Sequence, residues 1–279
     1  KNFKVGIDYG GTKIEGILMD NEGNEILRKR STYEKNYKSG IQTVSSLVEE
    51  FDKHTGTINT VGVGIPGSSS KETGLIKNAN SIWLNDKPFK QDLENSLGRD
   101  IRLMNDANCF ALSESIDGSG RGYDSVWGVI IGSGFGGSFV YKNQVIEGVN
   151  QVAGDWGHQP LPYPNEEEQE LGLKCKVGNC HRPLCAEQFI SGVGFTKLFN
   201  LKYGTNFRTR EIVALEANGD ERAKKEFDLY EDRFARLIAI MIGIVDPDVI
   251  ILGGGMSNIG RIYKNIPKIL PKYTFSDKV

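Results

Sequence analysis

The chain of 279 residues is 38% hydrophobic and 25% charged, with 34 glycines and 9 prolines; that apolar share, without a G-X-Y period or sustained heptads, excludes disordered, collagen-like and coiled-coil chains. Lys and Arg number 34 against 36 Asp and Glu, a formal charge of −2, so no basic field draws the chain to nucleic acid or anionic lipid. No run approaches the ~18 to 20 apolar residues that span a bilayer and no signal-peptide pattern opens the chain, which points to a cytoplasmic protein of about two domains.

Phe3, Val5 and Ile7 alternate into Asp8, the chain turns over Gly10-Gly11, and alternation resumes through Ile14, Ile17 and Leu18 to a turn at Asn21–Asn24. That pattern predicts a β meander. Ile41, Val44, Leu47, Val48 and Phe51 share one helical stripe over 41–54. A buried strand is predicted over 60–65, ending at Pro66-Gly67, then a short helix over 91–98, a strand over 101–104 and a helix over 106–115. Asn105-Asp106 suits the N-cap of that last helix. The glycine-rich patch 117–122 is read as a domain boundary, giving domains 1–117 and 118–279. Beyond it a strand over 126–131, a loop over Gly132–Gly137 and a second strand over 138–146, turning at Lys142-Asn143, repeat the plan of the opening. The acidic run Glu166-Glu167-Glu168 reads as a solvated loop. A long apolar stripe from Phe227 to Val245 predicts a helix ending at Asp246-Pro247, a buried strand over 249–252 runs into Gly253-Gly254-Gly255, and 259–270 is helical. Helices and strands alternate, so the class is α/β.

Gly132 to Gly137 matches G-x-G-x-x-G, but in a Rossmann unit those glycines open a helix, whereas 138–141 alternates as a strand, so hydride transfer is set aside. No Walker A sequence occurs. What remains is a hairpin-type phosphate loop in which Gly132, Ser133, Gly134, Gly136 and Gly137 bare backbone N–H groups to oxygens; an ordinary glycine hairpin is the alternative. Asp8-Tyr9-Gly10-Gly11-Thr12-Lys13 adds a carboxylate able to hold the water shell of Mg²⁺, a hydroxyl and a cation, which together suit phosphoryl transfer. Gly253-Gly254-Gly255-Met256-Ser257, between a strand and a helix, offers a flat surface for adenine and a helix N-terminus for phosphates. Asp106, at a strand-to-helix junction, is read as a general base over the plainer reading of an N-cap. His158 with Cys175, Cys180 and Cys185 supplies soft donors for a closed tetrahedral Zn²⁺ site. Its C-x4-C-x4-C spacing leaves His181 as an alternative to Cys180, and reduced, buried cysteines as the plainer reading. Cys109, beside Phe110 and Leu112, reads as core.

These residues resemble the ROK family of sugar kinases, within the actin-like ATPase superfamily, over nearly the whole chain. Asp8–Lys13 is similar to the family's D-x-G-G-T-K, Gly64-Ile65-Pro66-Gly67 to its G-I-P-G, and Asn105-Asp106-Ala107-Asn108 to its N-D-A-N, which carries the catalytic Asp. Gly132–Gly137 resembles its second phosphate loop and Gly253–Gly255 its adenosine-side glycines. Asp155-Trp156-Gly157-His158 resembles E-x-G-H, whose acidic residue and His touch the sugar while the His also ligates zinc. Cys180, Cys185 and Glu187 fit the latter part of C-x-C-G-x-x-G-C-x-E. Three features depart from the pattern: Asp155 is one methylene shorter than the family's Glu, Cys175 stands in for a cysteine that would fall at Gly178, and the family's last glycine turn and helix have no counterpart before Val279.

The resemblance implies an α/β, two-lobed actin-like ATPase (ribonuclease H-like) fold with an interlobe cleft. It implies ATP on the two glycine hairpins with Mg²⁺ near Asp8, a structural Zn²⁺, and a homodimer. It further implies a hexose held by Gly67, Asn80, Asn105, Asp106, Asp155, His158 and Glu187. Lys77–Asn85 looks most like bacterial fructokinases of the manno(fructo)kinase type. The expected reaction is therefore fructose to fructose 6-phosphate, with Asp106 taking the 6-OH proton. Kinases of N-acetylglucosamine, N-acetylmannosamine or glucose in the same family are the alternative. Sugar-sensing regulators of the family carry a helix-turn-helix domain ahead of a strand that here begins at Phe3, so a kinase is expected over a regulator.

Overall fold

Val5, Ile7 and Tyr9 are buried while Lys4 and Asp8 face out, and this period of two makes β1 (Lys4–Tyr9) a strand with one face in the core. The computed structural model describes residues 3–174 and 182–276. β2 (Lys13–Met19) and β3 (Glu25–Thr32) continue the meander antiparallel. α1 (Tyr37–Thr55) starts where the Asn36 side chain accepts the Ser39 N–H and stops at Gly56 in the left-handed region. Its stripe of Val44, Leu47, Val48 and Phe51 is buried. Gly16 of β2 admits Phe51, because a Cβ there would lie 2.8 Å from the ring. β4 (Thr60–Ile65), the short β5 (Ser68–Ser69) and β6 (Ile76–Lys77), α2 (Phe89–Leu97) and β7 (Arg102–Asn105) complete this part. The sheet order is β3-β2-β1-β4-β7, with β1, β4 and β7 parallel. Their carboxyl ends therefore share one edge, the edge where open α/β sheets bind ligands.

α3 (Asp106–Ile116) follows at once. The contacts divide the chain inside this helix, between Cys109 and Phe110, with Gly148–Gln151 in the first unit; the glycine patch 117–122 lies within the second.

The second unit is built on β8 (Ser125–Ile131), β9 (Phe135–Tyr141), β10 (Gln144–Val145) and, much later, β11 (Val249–Gly253), in the order β10-β9-β8-β11. β8 pairs antiparallel with β9 and parallel with β11, as β1 does with β2 and β4. The expected repeat is thus a repeat of pairing. β9 begins at Phe135, three residues earlier than the alternation suggested, because Gly136 and Gly137 pair with Ile130 and Val129 inside the ladder.

Between the sheet strands come α4 (Glu166–Lys174), α5 (Ala186–Ile190), α6 (Gly192–Tyr203), α7 (Thr209–Ala217) and α8 (Glu221–Val245), and α9 (Gly260–Ile269) follows β11. The acidic run at 166–168 is the first turn of α4, not a solvated loop. Asn165 Oδ1 accepts the Glu168 N–H at 2.8 Å and Glu168 Oε2 accepts the Asn165 N–H at 3.1 Å, a reciprocal cap. Glu168 is 1% exposed, and its other oxygen accepts from Arg233 Nε at 2.8 Å and Arg236 Nη2 at 2.6 Å. Arg236 also donates to the carbonyls of Pro162 and Tyr163. α8 thereby anchors the segment leading into α4. Among the described residues no helix is long and apolar enough to cross a membrane.

Candidate active site

In the first unit the expected residues gather where β1, β4 and β7 end. Asp8 pairs with Gly64 across β1 and β4. A Cβ on Gly64 would lie 3.9 Å from Asp106 Cα and 3.4 Å from Cys109 Sγ, so the bare backbone lets the start of α3 close onto the sheet. Cys109 is half-buried rather than core. Asp8 and Asp106 each keep an open face to solvent while protein walls in the rest. Burial, then the charge of Glu15, raises the Asp8 carboxyl above its usual range, with Lys13 and Arg30 opposing. Burial pushes Asp106 up to about 6, Asp8 adding in the same direction and the Ala107 N–H opposing.

Asn105 and Asp106 divide the start of α3 between them. Asn105 Oδ1 accepts the N–H groups of Ala107 at 2.9 Å and Asn108 at 3.2 Å, and its Nδ2 donates to the Gly67 carbonyl at 2.9 Å. Asn105 is thus the cap and a clamp on the 66–67 turn. Gly67 has φ +84°, and a Cβ there would sit 2.5 Å from the Lys77 carbonyl, so only glycine serves. Asn80 is exposed in the loop that follows β6. The Gly10–Lys13 turn is closed by the Gly10 N–H donating to the Lys13 carbonyl at 3.1 Å; Gly11, Thr12 and Lys13 are exposed along it.

In the second unit the hairpin turn is Gly132-Ser133-Gly134 alone, closed by the Gly132 N–H on the Gly134 carbonyl at 3.0 Å. Gly136 and Gly137 belong to β9, which corrects their reading as loop residues. A Cβ on Gly137 would lie 2.7 Å from the Gly128 carbonyl and 3.0 Å from Trp156 Nε1, so its bareness serves packing. Glu187, 6% exposed on α5, accepts the Phe135 N–H at 3.0 Å, and a Cβ on Gly134 would be 2.9 Å from the same oxygen. Gly157 lies against the Phe135 carbonyl. Glu187 and the backbone between Trp156 and His158 thus both bear on Phe135, at the start of β9. Asp155 is exposed and His158 half-buried in the short helical turn Trp156–His158.

Cys185 is fully buried; its Sγ donates to the Gly157 carbonyl at 3.1 Å and lies 3.8 Å from His158 Nδ1. Cys175, Cys180 and His181 lie outside the described residues. Among the described residues no group of three or more His, Cys, Asp or Glu is arranged to hold a metal. The separation of the two described donors fits, since tetrahedral zinc with Zn–S ~2.3 Å and Zn–N ~2.0 Å spaces sulfur and nitrogen about 3.5 Å apart.

A cavity of about 430 Å³ opens beside the Gly132 turn, within the range of small-molecule sites. Gly255 and Met256 line it with Gly132 and Ser133. Gly254, φ +83°, is pressed on β8, a Cβ there falling 2.5 Å from the Ile131 carbonyl, and Gly253 packs on Phe110. Gly192-Val193 of α6 and Thr209-Arg210 and Val213 of α7, none of them among the residues the sequence points to, also line it. Gly192 donates to the Gly132 carbonyl at 2.9 Å, which seats α6 against the turn. The signal available in sequence was Ser191-Gly192-Val193-Gly194, a capped glycine helix start.

A family model described as ROK family matches residues 4–278. An N-acetyl-D-glucosamine kinase of Vibrio cholerae is 36% identical over 277 residues, covering 97% of this chain and 90% of that protein. One from Haemophilus influenzae is 37% identical over 275 residues, covering 96% and 89%. A ROK hexokinase structure from Thermus thermophilus is similar with a TM-score of 0.83 at 24% identity, covering 97% of this chain and 88% of that one. The fold is that of the actin-like ATPases.

Proposed function

The chain belongs to the ROK family, and from that premise we propose that it transfers the γ-phosphoryl group of ATP to the 6-hydroxyl of N-acetylglucosamine, with Asp106 as general base. The observation that carries this reading is the placement of Asp106 beside Asp8 and Gly64, at the carboxyl edge of the sheet, with its pKa pushed to about 6. A base poised there is ionised at neutral pH and accepts a proton readily.

The hydroxyl proton passes to an Asp106 oxygen as the sugar oxygen bonds to the γ-phosphorus; the bond from that phosphorus to the β-bridging oxygen breaks, and its electron pair leaves with ADP. Phosphoryl transfer asks for alignment and charge neutralisation more than for covalent chemistry. The hard carboxylate of Asp8, raised chiefly by burial and then by Glu15, would hold the water shell of Mg²⁺, which would supply positive charge to offset that of the phosphates. With the Gly10 and Gly132 N–H groups closing their own turns, the backbone donors left for phosphate in this reading are those of Gly11 and Thr12 in the first unit and of Ser133 and Gly134 in the second. The adenosine occupies the cavity against Gly255 and Met256. The residues that the family resemblance gives to the sugar are Asn80 in the first unit and Asp155, His158 and Glu187 in the second. His158 and Cys185 would hold a structural zinc with Cys175 and Cys180, fixing the imidazole for the sugar. About one zinc per chain is expected by metal analysis, falling with Cys185→Ser; purified active protein without zinc refutes that part.

N-acetylglucosamine takes precedence over fructose because relatives similar over nearly the full length are N-acetyl-D-glucosamine kinases. An ATP-consumption assay across N-acetylglucosamine, fructose, mannose, glucose and N-acetylmannosamine tests it. The highest kcat/KM is expected for N-acetylglucosamine. A higher value for fructose restores the fructokinase reading, and turnover of none of the five sugars refutes the kinase reading.

A further inference from the structure

The loop that carries Asn80 and the turn that carries Gly10 are joined by aromatic side chains that the reaction itself does not use. Tyr9 stands between Asp8 and Gly10, 1% exposed, with its hydroxyl lodged against Gly40 of α1. Trp83 Nε1 donates to that hydroxyl at 3.2 Å. The Tyr33 hydroxyl donates to the Gly10 carbonyl at 2.9 Å, and its ring stands edge-on to Tyr9 at 5.4 Å and to Trp83 at 6.2 Å between centroids. Trp83 follows Asn80 in a loop pinned by Asn85, whose Oδ1 accepts the Ala79 N–H at 2.8 Å and whose Nδ2 donates to the Ala79 carbonyl at 3.1 Å. A Cβ on Gly11 would meet Ser81 Oγ at 3.4 Å. The loop and the turn are thus in packing contact as well as bonded through Tyr9 and Tyr33. Close-packed rings transmit displacement instead of absorbing it, so a shift of the 79–85 loop moves Trp83, Tyr33 and with them the Gly10 carbonyl.

We propose that Trp83 and Tyr33 couple the two substrates: a sugar bound at Asn80 fixes the Gly10–Lys13 turn in its phosphate-binding geometry, and bound nucleotide tightens the sugar in return. The reciprocity follows from linkage. Both are positioning residues, touching neither substrate, and the proposal rests on the hexose-kinase reading above. Calorimetric titration of N-acetylglucosamine, with and without a saturating non-hydrolysable ATP analogue and Mg²⁺, tests it on the wild type, Trp83→Phe and Tyr33→Phe. In the wild type the analogue is expected to tighten the sugar about fivefold or more, and in both variants by less than about twofold. The sugar Kd without nucleotide stays unchanged, which separates lost coupling from a damaged fold; Tyr33→Phe removes a hydroxyl and keeps the ring. Equal tightening in wild type and variants, or none in the wild type, overturns the coupling and leaves the kinase reading standing. Failure of the wild type to bind any of the five sugars overturns both.

Discussion

Replacing Asp106 with Asn keeps the shape of the side chain and an oxygen able to accept the Ala107 N–H, which Asp106 Oδ1 accepts at 2.8 Å. It removes the base. Loss of a positioned base lowers kcat by about 10²–10⁴-fold, while KM for ATP stays near the wild-type value because Asp106 holds no part of the nucleotide. The pH profile is sharper evidence than the rate. With the free-enzyme pKa near 6, about a tenth of the base is ionised at pH 5 and nearly all of it at about pH 7.5, so kcat/KM falls roughly tenfold between the two. An aspartate at its ordinary ~3.9 would lose less than about a tenth of its activity over that range. Stability moves the other way. A carboxyl whose folded pKa is raised favours the protonated chain, so its contribution is present below the unfolded value and lost as pH rises through about 6. Asp106→Asn escapes that loss, and its melting temperature should exceed that of the wild type near pH 7.5 and match it near pH 4. Coupled-enzyme kinetics and thermal melts check both. A kcat within about tenfold of wild type, or an acidic limb near 4, refutes the assignment.

Three further outcomes follow from the packing. Glu168→Gln leaves Arg233 and Arg236, 2% and 5% exposed, against an uncharged amide; breaking a buried pair this way costs about 3–5 kcal/mol, read as a lower denaturant midpoint, and an unchanged midpoint refutes it. Gly254→Ala forces a side chain into φ +83° with its Cβ 2.5 Å from the Ile131 carbonyl; a loss of at least ~1 kcal/mol and a raised KM for ATP are expected, and a normal KM would separate Gly254 from the nucleotide. Asn105→Ala removes the cap on Ala107 and Asn108 together with the clamp on Gly67; it should cost about 1 kcal/mol by denaturant titration and raise the sugar KM, whereas wild-type values for both would deny it either role.

β1 and β2 are legible in the sequence by alternation and β4, β8 and β11 by their apolar runs, whereas β3, charged and buried along none of its length, carries no apolar period to announce it. The fingerprint at 132–137 misled for a definable reason. Gly136 and Gly137 look like loop residues, yet the ladder needs Gly137 bare, since Trp156 and the Gly128 carbonyl occupy the space a side chain would take. α5 and α6 left little trace: α5 is five residues buried all round, polar Glu187 and Gln188 included, so it has no exposed face to set a period, and α6 opens with Gly192 and Gly194 packed on neighbouring backbone. The wall of the cavity built by α6 and α7 was hidden for that reason. α4 was legible in principle, because Asn165-x-x-Glu168 spells a capping box; the three adjacent glutamates drew attention to charge instead. Glu187 shows the same limit from the other side, since its burial against the Phe135 N–H comes from tertiary packing that no local pattern records.

The order of two neighbouring residues does much to decide what the first unit can do. A helix start needs a short polar side chain to accept its orphan N–H groups, and an aspartate spent on that task has its oxygens turned into the helix and its pKa lowered by the bonds it accepts. At β7–α3 that duty falls to Asn105, which meets Ala107, Asn108 and the Gly67 carbonyl at once. Asp106, one residue on, accepts one N–H from Ala107 and is raised, not lowered, by its surroundings. On the proposed mechanism this division is what makes a base available: Asn105→Asp keeps the cap but sets a second negative charge beside Asp106, and the acidic limb of kcat/KM should move above 6. If that limb stays where it is in the wild type, the group that titrates is not Asp106.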